Sequence, residues 1–129
     1  METIFKNEYF NEFANKCLDN GLTILLPDDT DYWNFLTFSD GINIGYAQLD
    51  RYGRGIDFST VNVPNKNCGT GFGLDVVADP TIEDIKKAFM FAPSWAKNED
   101  RKCVVKYKSL EEYLKNPTNS SKRIITPKN

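Results

Sequence analysis

The stretch WNFLTFSDGINIGYAQL, residues 33–49, decides the fold. Its two halves are apolar runs with aromatic rings, and between them stands Asp40-Gly41, a dipeptide that turns a chain back on itself because glycine enters φ > 0 at no steric cost. Residues 33–38 and 42–49 are therefore expected to pair antiparallel. In the second run Ile42, Ile44 and Tyr46 alternate with Asn43, Gly45 and Ala47. One face of that strand is thus greasy and the other small, with room for a packed helix or a bound ring.

Outward from this hairpin the pattern repeats. Asp50, Arg51, Tyr52, Gly53, Arg54 and Gly55 form a second turn, and residues 56–63 a strand with Phe58, Thr60 and Asn62 on one face and Ser59, Val61 and Val63 on the other. Pro64 stops the pairing and Asn65 begins a loop. Gly69, Thr70, Gly71, Phe72 and Gly73 then provide backbone that can enter φ > 0 and approach another group closely, ahead of a strand over 72–78. Residues 22–26 and 102–108 read as further strands. Asp28, Asp29 and Asp31 make an acidic turn without the twelve-residue spacing or terminal Glu of a calcium loop, so a solvated turn is the plainer reading.

Helical periodicity is found near the N-terminus and in the second half. Ile4, Phe5, Tyr9, Phe10, Phe13, Ala14, Cys17 and Leu18 recur at steps that put one apolar face on a helix of about four turns, with Thr3 as its expected cap and Asn20-Gly21 as its stop. Asp79-Pro80, or alternatively the capping box Thr81 to Asp84, opens a second helix that places Ile82, Ile85 and Phe89 on one side and ends by Pro93. Ser109 and Glu112 cap a short C-terminal helix, which Pro117 ends. The sequence predicts an α+β domain over 1–117: an antiparallel meander of about five or six strands, packed by the N-terminal helix and the second helix. Residues 118–129 are expected to form a flexible tail.

Composition narrows the function classes. Sixteen basic against eighteen acidic residues leave a net charge of −2, which lacks the basic field of a general nucleic-acid binder. No apolar run approaches membrane-spanning length, and the first ten residues lack the basic start and apolar core of a signal peptide, which predicts a cytoplasmic protein. Cys17, Cys68 and Cys103 are far apart in the sequence and read as free thiols. Histidine is absent, which removes the commonest general base and every imidazole triad, so the expectation is no enzyme and no cofactor. Asp57 and Asp75 are the carboxylates an acid–base reaction would have to use.

The residues best suited to a ligand gather around the second turn and the glycine-rich loop. Arg51 or Arg54, with the amides around Gly69 and Gly71, can hold phosphate oxygens, since guanidinium forks and converging N–H groups both match anions. Asn62 or Asn65 can read a sugar or base edge, and Phe58, Tyr52 or Phe72 can stack. No Gly-Lys-Ser/Thr leads into a helix, so this is not a P-loop. Phe89, Met90, Phe91 and Trp95 crowd one helix end and the loop after it, which predicts a homo-oligomer or a protein-binding surface.

Ser59, Thr60, Val61, then Pro64, Asn65, then Gly69, Thr70, Gly71, Phe72 resemble stretches of small bacteriophage-encoded proteins, as does KYKSLEEYL at 106–114. In size and in mixed helix and sheet pattern the chain is similar to the Thoeris anti-defence nucleotide sponges. That resemblance implies a phage counter-defence protein of the host bacterial cytoplasm, an oligomer that sequesters a cyclic nucleotide or cyclic ADP-ribose-type signal for immune evasion. Anti-CRISPR proteins share the size, and with them stands the alternative of an inhibitor that binds a host defence protein directly.

Overall fold

A computed structural model of the chain describes residues 1–60, 76–90, 107–115 and 123–127. They form helix α1 (Glu8–Asp19), strands β1 (Thr23–Leu26), β2 (Phe35–Ser39), β3 (Ile44–Leu49) and β4 (Ile56–Thr60), helix α2 (Ile82–Lys87) with a 3-10 turn at Ala88–Met90, helix α3 (Leu110–Leu114), and strand β5 (Arg123–Ile125). The five strands make one antiparallel sheet in the order β4-β3-β2-β1-β5. This is the expected α+β architecture.

The central hairpin closes as its residues dictate. Ser39 pairs with Ile44, and the four residues between them are held by side chains. Asp40 Oδ1 accepts from the amides of Ile42 (2.9 Å) and Asn43 (2.7 Å), Ser39 Oγ accepts from Gly41 N, and Gly41 sits at φ 103°. Ile42 is left 65% exposed in this turn rather than continuing the apolar face of β3. The small face of β3 is filled from within the sheet: Gly45 lies opposite Phe38, and a Cβ on Gly45 would come within 2.4 Å of the Phe38 ring.

One face of the sheet, the inner face, is dry. Ile24, Leu26, Leu36, Phe38, Ala47, Ile56 and Phe58 meet Phe10, Phe13, Ala14, Cys17 and Leu18 of α1, together with Ile85, Ala88 and Phe89. Ring contacts run from Phe10 through Phe13 and Phe58 to Phe38 and Phe89 at centroid distances of 5.1–6.1 Å. Cys17 is wholly enclosed there, and burial drives its thiol pKa far upward, so it is an inert part of the core. Among the described residues, the outer face is covered at one end, by α3. There Tyr113 of α3 packs on Leu25 and Ile44, and the Leu110 amide donates to Gly41 O at 2.9 Å.

Several boundaries differ from the sequence expectations. The cap of α1 is Asn7, whose Oδ1 accepts from Phe10 N at 2.9 Å; Thr3 lies outside the helix. Ile4 and Phe5 are buried without being helical because the Asn11 Oδ1 accepts both of their amides, at 2.6 and 3.0 Å. In the second helix the capping box is the one that forms: Asp84 N donates to Thr81 Oγ1 and Thr81 N to Asp84 Oδ2. Phe89 turns into the core against Phe38, which removes it from the expected exposed cluster; the side chain of Met90, with Phe91 and Trp95, lies outside the described residues. A mobile tail over 118–129 does not hold at residues 123–125, since Ile24 pairs with Ile125 and Leu26 with Arg123. Two adjacent β-branched residues in Arg-Ile-Ile suit a strand, and three residues are too few to announce one. Of the strand expected over 72–78, residues 72–75 lie outside the described residues, and in 76–78 Val77 makes an isolated bridge to Ile56. Most of the strand expected at 102–108 lies outside the described residues, and Tyr107 and Lys108 are not in a strand.

Candidate functional site

The β3–β4 turn is a tight loop in which Asp50 N donates to Gly55 O at 2.9 Å and Gly53 N to Asp50 O at 2.7 Å. Gly53 makes the reversal at φ 70°. Gly55 is small for another reason: a Cβ there would strike Val76 at 2.6 Å and the Val77 backbone at 3.0 Å, where residues 76–77 cross the turn. The turn is thereby braced from one side, and Arg51, Tyr52 and Arg54 are all exposed on it.

These three side chains form a single unit. The guanidinium carbons of Arg51 and Arg54 lie 4.8 and 5.1 Å from the centroid of the Tyr52 ring, and Arg51 Nη2 donates to the Tyr52 hydroxyl. A ring that holds two cations offsets part of their mutual repulsion, at about 0.5–1 kcal/mol per exposed contact. Among the described residues neither arginine is ion-paired to a carboxylate. Guanidinium forks are the side-chain groups whose N–H geometry matches a phosphate or carboxylate, and two stand adjacent here.

Beside the turn, the end of the outer face away from α3 carries a strip of rings. Tyr32, Trp33, Phe35 and Tyr46 touch in sequence, with centroids 4.6, 6.1 and 5.9 Å apart. Trp33 and Phe35 share this face because they are two residues apart along β2 and its approach, and Leu49 N donating to Asn34 O extends the β2–β3 register to that point. The polar partners stand on the same row: Phe35 pairs with Gln48 and Gln48 with Asp57. Tyr46 donates from its hydroxyl to Gln48 Oε1 at 3.3 Å, and Gln48 Nε2 donates to Asp57 Oδ2 at 3.2 Å. Burial, and secondly the Asp57 carboxylate, raise the Tyr46 pKa, which keeps the phenol protonated as that donor. Further along the same face the wholly buried Thr37 hydroxyl has no hydrogen-bond partner.

Of the site residues expected from sequence, Arg51 and Arg54 are brought together, with Tyr52 between them. Phe58 is not available to a ligand: it is 2% exposed and packs on Phe13 and Phe38, because its register beside Ala47 puts it on the inner face. Asn62, Asn65, Gly69, Gly71 and Phe72 lie outside the described residues, as does Asp75. Trp33, Phe35, Tyr46 and Gln48 were readable only as strand residues, although the polar alternation of Gln48 and Asp57 on facing strands was a usable signal. The acidic turn before β2 is structural in part, since Asp29 Oδ1 accepts from the amides of Asp31 and Tyr32. Among the described residues no group of three or more His, Cys, Asp or Glu side chains could hold a metal ion, and no helix is long and apolar enough to cross a membrane. In comparisons with known proteins, no family model, no curated protein and no solved structure matches the chain.

Proposed function

We propose that the protein is a non-catalytic binder of a phosphate-bearing cyclic nucleotide or cyclic ADP-ribose-type ligand, working by sequestration as the resemblance to phage counter-defence sponges implies. The observation that carries this reading is the pair of guanidinium groups on one tyrosine ring, without a carboxylate ion pair among the described residues. An ordinary solvating arginine has no need of such a partner. Two held side by side supply charge and direction for phosphate oxygens, while the neighbouring rings offer π-faces for a base. The chain has no histidine, and its Asp57 carboxylate already accepts a hydrogen bond from Gln48, which suits recognition better than proton transfer.

Calorimetric titration with cyclic dinucleotides and cyclic ADP-ribose isomers tests the proposal. Wild type binds, binding weakens with added salt, and Arg54→Glu weakens it further by reversing charge beside the phosphate. Mass spectrometry of the released ligand finds it chemically unaltered. Absence of binding to every ligand, or a hydrolysed product, would overturn the reading; a host protein retained in its place would point to the direct inhibitor.

A further inference from the structure

We infer, resting on the nucleotide reading above, that the end of the outer face away from α3 is a base-recognition platform selective for guanine. Its floor is the Phe35–Tyr46 pair, its wall is Trp33, and its reading group is the Asp57 carboxylate. Phe35 and Tyr46 are the least inclined neighbours of the ring strip, 32° apart with centroids 5.9 Å apart, and together form one continuous aromatic patch. Trp33 is tilted 53° from Phe35 and braced edge-on by Tyr32 at 81°, yet it remains 52% exposed. A large ring fixed in place and left half in water has a face ready for a second aromatic.

The polar edge of this platform has one sign. An ionised carboxylate only accepts hydrogen bonds. The chain Tyr46 to Gln48 to Asp57 runs as successive donations, so Gln48 presents its donor to Asp57 Oδ2 and fixes the carboxylate beside the rings. Asp57 Oδ1 has no partner among the described residues. A carboxylate has about four acceptor positions, so Oδ1 and the remaining position on Oδ2 fit a ligand edge with two adjacent donors, which guanine supplies through N1–H and N2–H. Adenine offers an acceptor at N1 beside its N6 donor, and hypoxanthine lacks the second donor. Position agrees with charge: Arg54 is three residues from Asp57, at most about 10 Å of fully extended chain, so one end of a nucleotide meets the carboxylate and the other the guanidinium pair.

The test is calorimetry with cyclic di-GMP, cyclic di-IMP and cyclic di-AMP on wild type, Asp57→Asn and Arg54→Glu, with melting curves for each. Wild type is expected to bind cyclic di-GMP about tenfold or more tightly than cyclic di-AMP, with cyclic di-IMP between them, because a site built for a donor rejects the base lacking it. Asp57→Asn brings the three within about twofold of one another, with its melting curve unchanged. Arg54→Glu weakens all three alike and preserves their order. Equal wild-type affinities, or a guanine preference that survives Asp57→Asn, would overturn the guanine assignment while leaving the phosphate reading intact. Failure of all three to bind would overturn the guanine assignment, and the phosphate reading falls with it only if the cyclic ADP-ribose isomers also fail to bind.

Discussion

The inner face of the sheet and the end of its outer face away from α3 are built from the same strands and face opposite demands. On the inner face the row Leu36, Ala47 and Phe58 is apolar across three strands, and the space left by one residue is filled by the next. On the outer face the rows mix types, as in Phe35, Gln48 and Asp57, and their rings stay partly in water. Interdigitated apolar rows lower the free energy of the fold by burial. A mixed row contributes little of that and is instead able to contact something else. At this end of the sheet, residues that pack the core and residues left partly in water are therefore separated by the pleat, one residue apart along a strand.

The sharpest way to break this division is at Phe58, where a ring on β4 belongs wholly to the inner face. Phe58→Ala is expected to destabilise the protein by about 3–5 kcal/mol, measured by urea unfolding. A loss under 1 kcal/mol would mean that the inner face is not the continuous core described. Next in size is Gly45→Ala, which drives a methyl group into the Phe38 ring and should cost about 1–3 kcal/mol by overpacking. Restored stability in the double variant Gly45→Ala, Phe38→Leu would sharpen the point.

A smaller effect is expected where α2 begins. The Asp84 carboxylate has its pKa lowered by hydrogen bonds from the Thr81 backbone and side chain, opposed by partial desolvation, with lesser lowering by Lys87 and Lys16. Its stabilising contribution is thus fully present above the ordinary carboxylate range and is lost as pH falls through the lowered folded value. The melting-temperature gap between wild type and Asp84→Asn should close on acidification; a gap independent of pH would remove the carboxylate from the account. Smallest of all is Trp33→Ala, within about 0.5 kcal/mol of wild type in stability, because the ring lies outside the core. A large loss there would erase the distinction between the faces.

Much of the fold was legible because hairpin signals are local. Asp40-Gly41 and the turn at 50–55 each specify their own pairing, and the α1 stripe needs only its helical period to be seen. The position of α1's start was not legible, since Asn11 draws Ile4 and Phe5 into the core by hydrogen bonds that no periodicity encodes. Strand β5 was hidden for a different reason: its partner is remote, and three residues carry almost no pattern of their own. At the site, Arg51, Tyr52 and Arg54 were readable as a turn rich in cations. The outer strip was not, because Trp33, Phe35 and Tyr46 look like core until register assigns them a face. Phe58 misled in the opposite direction, its proximity to Asn62 and Asn65 in sequence suggesting a role that the pleat denies it.

The pairing of β1 with β5 also constrains how the molecule can be made. Ile24 leaves the ribosome about a hundred residues ahead of Ile125, which at elongation rates of about 5–20 residues per second is an interval of roughly 5–20 s. Throughout it, the β1 edge away from β2 lacks the strand that will close it, and an unpaired apolar edge is a template for association with other chains. Closing that edge requires contact between distant parts of the chain, a step that loop-closure entropy makes slow. The yield of native protein during synthesis should thus depend on β5 more strongly than three exposed or half-buried residues would suggest from the finished fold.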